Sequence, residues 1–159
     1  MEQSSTDASR VVEEWITFEM SGEHYALEVN CVKEIKMVSE LSPIPGSPAS
    51  VVGILKLRGE AVTVVDGAMM LNLNGQSDSE KDCIIILEFK DCLMGLLVNE
   101  VKEIVKFAKQ DIEVNSNRHS KSMGEQHSDI ILGTYQFGDR LVIPIQLDSA
   151  SMIGEQMED

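Results

Sequence analysis

The chain has 159 residues, of which 43% are hydrophobic and 25% charged, and its formal net charge is −14. This composition is globular and excludes disorder over the whole length, and no apolar run approaches the ~18 residues that span a bilayer. The negative charge repels phosphate backbones and anionic lipid surfaces, so neither nucleic acid nor direct membrane insertion is expected.

Short runs in which apolar and polar residues alternate, rich in β-branched side chains, follow one another along the chain. This pattern predicts an all-β fold. The predicted strands, in chain order, are Trp15 to Met20, His24 to Val29, Val51 to Leu57, Ala61 to Val65, Cys83 to Phe89, Leu93 to Val98, Val101 to Phe107, Ile130 to Phe137 and Arg140 to Ile145.

Turn residues separate these strands. The predicted hairpin connections are Ser21-Gly22-Glu23, Arg58-Gly59-Glu60, Lys90-Asp91 and Gly138-Asp139. Three prolines between Ser42 and Pro48 predict an extended connection, with a short helix after Pro48.

Polar segments interrupt the strand pattern at Asn72 to Asp82 and at Asn115 to Ser128, and both are predicted loops. The second is long for a compact domain, which is typical of a mobile or functional segment, and mobility is favoured. Residues 12–153 are expected to form one domain. Residues 1–11 are expected to be a disordered N-terminal tail, and residues 154–159 an acidic C-terminal tail. The polar N-terminus lacks a secretory signal, and three cysteines without a CxxC pair indicate a reducing compartment, so a cytoplasmic protein is expected.

The chain nearly repeats itself. VNCVKEI at Val29 to Ile35 returns as VNEVKEI at Val98 to Ile104, with six of seven positions identical. The pattern of Gly53 to Val65 returns at Gly133 to Ile145, as a Gly-led strand, a tight turn and an apolar strand. These repeats predict two similar β units of roughly 70 to 80 residues. Because an open five-stranded sheet leaves edges that promote aggregation, each half is expected to close into a small barrel.

The residue types needed for catalysis are sparse. The sequence contains no phosphate-binding loop, HExxH or GxSxG motif. His24 lies in a predicted strand and is interpreted as structural. His119 and His127 lie in the long polar loop without a nearby cysteine, so neither a metal site nor a cofactor is predicted.

Arg58 is a cation at a predicted hairpin tip, between apolar Leu57 and the turn residue Gly59. A cation at a hairpin tip can be merely exposed to solvent. Alternatively, it is a positioned guanidinium that pairs with a carboxylate within the fold or across an interface. Glu34 is a candidate partner, although Glu103 occupies the equivalent place in the second repeat.

Six segments of the sequence carry a resemblance to a known family. In chain order they are WITFEMSGEHYALEVNCVKEI, IPGSPASVVG, LKLRGEAVTVVD, IIILEF, MGLLVNEVKEI and GDRLVIPI. This series resembles the CheW-type coupling proteins of bacterial chemotaxis over roughly Val12 to Ile153. The resemblance implies two intertwined five-stranded SH3-like β barrels with short helical turns, a shared core and a groove between the barrels. It also implies a non-enzymatic adaptor that links the CheA histidine kinase, through its regulatory domain, to the cytoplasmic tip of chemoreceptors. Recruitment to membrane-associated receptor arrays and self-association in rings would follow.

The resemblance assigns roles to individual positions. It places the family's key arginine at Arg58, with Glu34 as its acidic partner and Gly59 closing the turn. Further positions that the family uses around its kinase and receptor contacts are Val32, Gly53, Gly95 and Val101. These four could equally be required only for folding, since the two glycines lie in tight strand settings.

Two departures from the family pattern are expected to lie beside the partner surface. Lys56 stands where the family usually has Asn, and Gly67 replaces an apolar residue after Val-Val-Asp. They are compatible with a paralogue of a secondary chemosensory system and equally with neutral drift. Since the chain ends at Asp159, the CheV-type arrangement with a receiver domain is not expected. The alternatives are a scaffold of a non-flagellar chemosensory pathway, or a small-ligand sensor in which the loop from His119 to His127 closes over a metal or metabolite.

Overall fold

The structure is a computed structural model and describes residues 11–38, 41–73, 80–90, 92–114 and 129–153. Its strands are β1 (Val12–Met20), β2 (Glu23–Glu28), β3 (Val32–Met37), β4 (Val51–Leu57), β5 (Glu60–Asp66), β6 (Cys83–Glu88), β7 (Leu93–Val98), β8 (Glu100–Ala108), β9 (Tyr135–Phe137) and β10 (Arg140–Pro144). Its short helices are α1 (Gly67–Met70) and α2 (Ser149–Ile153), with 3-10 turns at Val29–Cys31 and Lys109–Asp111.

The strands form two five-stranded sheets. The first has the order β8-β1-β2-β10-β9, and the second has the order β3-β6-β7-β5-β4. Each sheet therefore combines the first hairpin of one repeat with the three later strands of the other. The expectation that each half closes on itself is wrong, because the halves exchange their hairpins. The intertwined arrangement implied by the family resemblance is confirmed.

The repeated corner is the place where the chain changes sheets. Between β2 and β3 the chain passes through the 3-10 turn Val29–Cys31, and between β7 and β8 it passes through Asn99. These residues belong to the two copies of the VNxVKEI motif. The motif therefore encodes the crossover that intertwines the two halves.

Each sheet closes on itself into a small barrel. In the second sheet, Ser42, which follows β3, pairs with Ile54 of β4, and thereby joins the two ends of the strand order. In the first sheet, Glu113, which follows β8, pairs in the same way with Thr134 just before β9. We call the sheet containing β1 the first barrel and the sheet containing β3 the second barrel. They are the two SH3-like barrels that were expected.

Three apolar cores fill these barrels and the space between them. The first barrel encloses Trp15, whose ring stacks on Phe107 at 4.7 Å and whose Nε1 donates to the Phe107 carbonyl. The second barrel encloses an aliphatic cluster around Val64 and Ile86. The largest cluster lies between the barrels and is called the shared core; its largest fully buried members include Tyr25, Phe18, Leu27, Ile85, Leu87 and Leu96. Most apolar burial therefore links the barrels into one unit.

The predicted elements agree with the structure in most places. Strands lie where they were predicted, and the turns at Ser21-Gly22, Arg58-Gly59 and Gly138-Asp139 connect hairpins. However, residues 32–37 form a full strand rather than a corner, because β3 pairs along its length with β6. The predicted strand from Ile130 shortens to β9, and residues 49–50 form a turn instead of a helix.

Several predictions fall on parts of the chain that the structure does not describe. These are the tails at 1–10 and 154–159, the loop segments 74–79 and 115–128, and Asp91 of one predicted turn. Among the described residues, no helix is long and apolar enough to cross a membrane.

Tyr25 gives the shared core a pH-dependent stability. Burial, and secondarily the charge of Glu23, raises the pKa of the Tyr25 phenol to about 12. Between pH 10 and 12 only the unfolded chain ionises this tyrosine, so the free energy of unfolding should fall by about 2 kcal/mol as the pH rises through that range. We expect Tyr25→Phe to remove this part of the decline in alkaline denaturation curves. An unchanged profile in Tyr25→Phe would contradict the prediction.

Candidate functional site

Arg58 lies at the tip of the β4–β5 hairpin. Leu57 pairs with Glu60, so only Arg58 and Gly59 form the turn, with φ angles of 50° and 85°. Positive φ at both central residues is the type I′ geometry that matches the twist of a hairpin. Nothing lies within 4 Å of a Cβ built on Gly59, so this glycine is required by the backbone conformation and not by space. The turn thus holds the Arg58 side chain outward.

Glu34 meets Arg58 from the edge strand β3. A register shift between Val32 and Glu34 marks a β-bulge, a feature that redirects side chains. Both terminal nitrogens of Arg58 donate to Oε2 of Glu34, at 3.0 and 2.7 Å. We call this pair the first clasp. The Arg58 side chain is 66% exposed and the Glu34 side chain 26% exposed, so the pair contributes little to stability and displays the cation.

The first barrel carries a related pair, which we call the second clasp. Arg140, the first residue of β10, donates from Nη1 to Oε2 of Glu103 at 3.0 Å. Glu103 is the repeat equivalent of Glu34, but Gly138 holds the place of Arg58, so the arginine comes from the other side of the turn. The sequence indicated Glu103 and missed Arg140 because the two arginines are not aligned in the repeat.

Thr17 supports the second clasp from inside the barrel. A β-bulge interrupts the pairing of β1 with β8 at this point. The Thr17 hydroxyl donates to the Glu103 carbonyl at 2.8 Å and accepts from the Glu103 N–H at 3.1 Å. Thr17 is fully buried. Its hydroxyl therefore replaces the strand hydrogen bonds that the bulge removes.

Thr17→Val should destabilise the protein because it leaves two backbone groups of Glu103 without a partner. We expect the free energy of unfolding to fall by about 1 to 3 kcal/mol in urea titrations. The matched control is Thr63→Val in β5, since the Thr63 hydroxyl makes no hydrogen bond within the described residues and the change should stay within about 0.5 kcal/mol. Equal losses in the two variants would rule out this role of Thr17.

Val32 and Val101 occupy equivalent places at the edge of the shared core. Val32 pairs with Leu87 of β6, and Val101 pairs with Phe18 of β1. Both valines are half-buried and pack against the shared core, not against the clasps. Just beyond them along β3 and β8 lie two isoleucines that are exposed by 41% and 55%, Ile35 and Ile104. The edge strands thus present apolar side chains to solvent beside the shared core.

Gly53 and Gly95 are each confined by neighbouring atoms. Gly53 has a φ of 155°, and a Cβ there would lie 2.7 Å from the Ser42 carbonyl oxygen, at the pairing that closes the second barrel. A Cβ on Gly95 would lie 2.8 Å from Cγ2 of Ile84, inside the second barrel. Both glycines therefore have a packing reason to be there, and the structure does not bring either of them to the first clasp.

The two departures from the family pattern lie in different environments. Lys56 is exposed on β4, two residues before Arg58. Gly67 is buried at the start of α1, where a Cβ would collide with Sδ of Met20 and lie 3.1 Å from the Leu97 carbonyl oxygen. The expectation that Gly67 lies beside a partner surface is wrong. Met20 of the first barrel occupies the space that a larger side chain would need.

In the part of the chain that the structure describes, the histidines and acidic residues do not come together into a catalytic or metal-binding cluster. No group of three or more His, Cys, Asp or Glu there could hold a metal ion. His24 lies in β2, with Nε2 3.9 Å from the carboxylate of Glu19 on the paired strand. His119 and His127, and with them the small-ligand alternative, lie outside the described residues.

Two small closed barrels around a shared core, each with an arginine–carboxylate clasp at its hairpin, define a double-barrel β module. The family model of the CheW-like domain matches residues 14–155. The chain therefore belongs to the CheW-like domain family. As predicted, it is a chemotaxis coupling adaptor.

Comparison with individual proteins supports this family assignment. The chain is 26% identical over 136 residues to the chemotaxis protein CheW of Rhizobium meliloti (strain 1021), covering 86% of this chain and 85% of that protein. It is 30% identical over 101 residues to the chemotaxis protein CheW of Bacillus subtilis (strain 168), covering 64% and 65%. The crystal structure of the scaffolding protein TtCheW from Thermoanaerobacter tengcongensis has a TM-score of 0.75 at 24% identity, covering 86% of this chain and 90% of that one. This likeness confirms the fold.

Proposed function

We propose that the chain couples a CheA-type histidine kinase to the cytoplasmic tip of chemoreceptors and catalyses no reaction itself. The observation that carries this proposal is the first clasp, an exposed guanidinium held by a rigid turn at the end of a closed barrel. Coupling in this sense is geometric, because the adaptor holds receptor and kinase where the receptor conformation biases kinase activity.

The first clasp is the proposed contact for the regulatory domain of the kinase. Arg58 has five N–H donors, and its two hydrogen bonds to Glu34 both reach a single carboxylate oxygen. Its other N–H donors make no hydrogen bond to any described residue and can reach an acceptor on a partner. Because Gly59 and the hairpin fix the backbone, little conformational entropy is lost when a partner binds.

The edge of the shared core is the proposed contact for the receptor. Val32 and Val101 fill this edge, and the exposed isoleucines Ile35 and Ile104 extend it along the edge strands. A receptor helix would place its apolar side chains against such a surface, in the manner of a helix in a groove. Gly53 and Gly95 would affect binding only indirectly, by maintaining the packing of the second barrel.

Recruitment to membrane-associated receptor arrays and self-association in rings belong to the same proposal. Each of the two related barrels carries a clasp, and a heterologous contact between the first barrel of one copy and the second barrel of the next generates a ring when the rotation closes. Individual contacts of this size are weak, so multivalency within an array would supply the avidity.

Reconstitution tests the proposal. The kinase of the same organism is mixed with a soluble receptor signalling fragment, and its autophosphorylation is measured with and without this chain. We expect stimulation only when kinase, receptor fragment and chain are all present. If a folded chain leaves an active kinase unchanged, this receptor and kinase pair is wrong, and the non-flagellar chemosensory alternative gains support.

A further inference from the structure

The β4–β5 hairpin and the segment of β3 that meets it through the first clasp carry an excess of positive charge. We call this surface the second-barrel face and define it as residues 33–36 of β3 with hairpin residues 56–60. Its charged side chains are four cations and two carboxylates, namely Lys33, Lys36, Lys56, Arg58, Glu34 and Glu60. The face is thus positive on a chain whose formal net charge is −14.

The first barrel provides an internal comparison. Its equivalent surface, the first-barrel face, comprises residues 102–105 of β8 and hairpin residues 136–140. The repeat offsets place Val105, Gln136 and Gly138 where the second barrel has Lys36, Lys56 and Arg58. The charges of the first-barrel face therefore balance, since it carries Lys102 and Arg140 against Glu103 and Asp139. The positive excess is specific to one end of the molecule.

Within the described ranges, the excess charge is not neutralised by ion pairs. Arg58 pairs with Glu34, but Lys36 and Lys56 make no ion pair with any residue that the structure describes. Lys56 is exposed, and Lys36 is half-buried on the same face of β3 as Glu34 because side chains alternate along a strand. Two lysines of the second-barrel face therefore have no carboxylate partner among the described residues.

We infer that the second-barrel face binds an acidic protein surface, and that Lys56 supplies part of the attraction. This inference rests on the proposed function, because the acidic surface would belong to the regulatory domain of the kinase. A local positive face on a negative molecule orients an approaching acidic partner and selects one end for docking. An extended polyanion, such as an anionic membrane, fits less well because it would also meet the acidic remainder of the chain.

The test measures how binding of the kinase regulatory domain depends on salt and on Lys56. Dissociation constants are determined by calorimetry between about 50 and about 300 mM NaCl, a range over which exposed charges become screened. At the lowest salt we expect Lys56→Asn to weaken binding about threefold and Lys56→Glu about tenfold, with a flatter salt dependence than the wild type. The control, Lys106→Glu, makes the same change of net charge from an exposed position on β8 of the first barrel and should bind like the wild type.

Each other outcome overturns the inference in a distinguishable way. If Lys56→Glu and Lys106→Glu weakened binding of the kinase domain equally, the affinity would depend on the net charge of the chain and not on the second-barrel face. Wild-type affinity in both Lys56 variants would remove the inference and leave the proposed function intact. Failure of the wild-type chain to bind the kinase domain would remove both. Binding of vesicles of phosphatidylglycerol by the wild type, lost in Lys56→Glu, would identify the partner as lipid instead.

Discussion

Gly53→Ala should lower the free energy of unfolding by about 3 to 4 kcal/mol. Two costs combine at this position. An L-residue is strained at a φ of 155°, and the new Cβ would lie 2.7 Å from the Ser42 carbonyl oxygen. That oxygen belongs to backbone that pairs with β4, so it cannot retreat without opening the barrel closure.

Gly46→Ala is the matched control for this substitution. Gly46 also has a positive φ, 81°, but nothing lies within 4 Å of its Cβ position, so only the backbone strain of about 1 kcal/mol applies. Thermal melts should separate the variants, since 1 kcal/mol corresponds to about 2 to 4 °C in a chain of this size. If Gly53→Ala proved as stable as Gly46→Ala but failed to couple a kinase, Gly53 would be a contact residue and not a folding residue.

The strands and hairpins were predictable from the sequence because their signals are local. Alternation and turn residues identify β1, β2 and the hairpin at Arg58-Gly59, where a two-residue loop requires positive φ angles and Gly59 adopts one without strain. The pairing of Arg58 with Glu34 was one of the alternatives that the sequence left open, and the structure establishes it. The family resemblance was needed to select it.

The exchange of hairpins could not be predicted from the repeat. A repeat records that two segments resemble each other, but it does not record whether each pairs with itself or with its copy. Strand pairing between distant segments depends on the shared core, where Phe18 of one half packs with Leu87 and Leu96 of the other. The VNxVKEI motif marks the 3-10 turn at Val29–Cys31, but the motif does not say which sheet the chain enters after the turn.

The second clasp and the environment of Gly67 were missed for a related reason. Arg140 pairs with Glu103 as Arg58 pairs with Glu34, but the repeat aligns Arg140 with Glu60. The alignment of the repeats therefore did not indicate this ion pair. Gly67 follows an exposed-looking Asp66 that caps α1. Its burial follows from Met20, which the sequence separates from it by 47 positions but the fold brings into contact.

Arg58→Glu should abolish kinase coupling and leave the fold intact, the largest functional effect that we expect from a single substitution. The side chain is 66% exposed, so reversing its charge beside Glu34 should cost less than about 1 kcal/mol of stability. At the proposed interface the same change removes a donor and adds repulsion, and we expect binding of the kinase regulatory domain to weaken at least about 30-fold. Circular dichroism and kinase autophosphorylation are measured on the same preparation, with Lys106→Glu as the control of equal charge change. Unfolding of Arg58→Glu would mean that the arginine is structural.

The double variant Arg58→Glu/Glu34→Arg separates the ion pair from the position of the cation. It restores opposite charges across the clasp, so its stability should return to that of the wild type. It does not restore a guanidinium at the hairpin tip, where the type I′ turn holds the side chain outward. Coupling should therefore stay lost if the partner recognises Arg58 itself. Recovery of coupling in the double variant would instead show that the clasp acts only by closing the second barrel, with the partner contacts elsewhere on its surface.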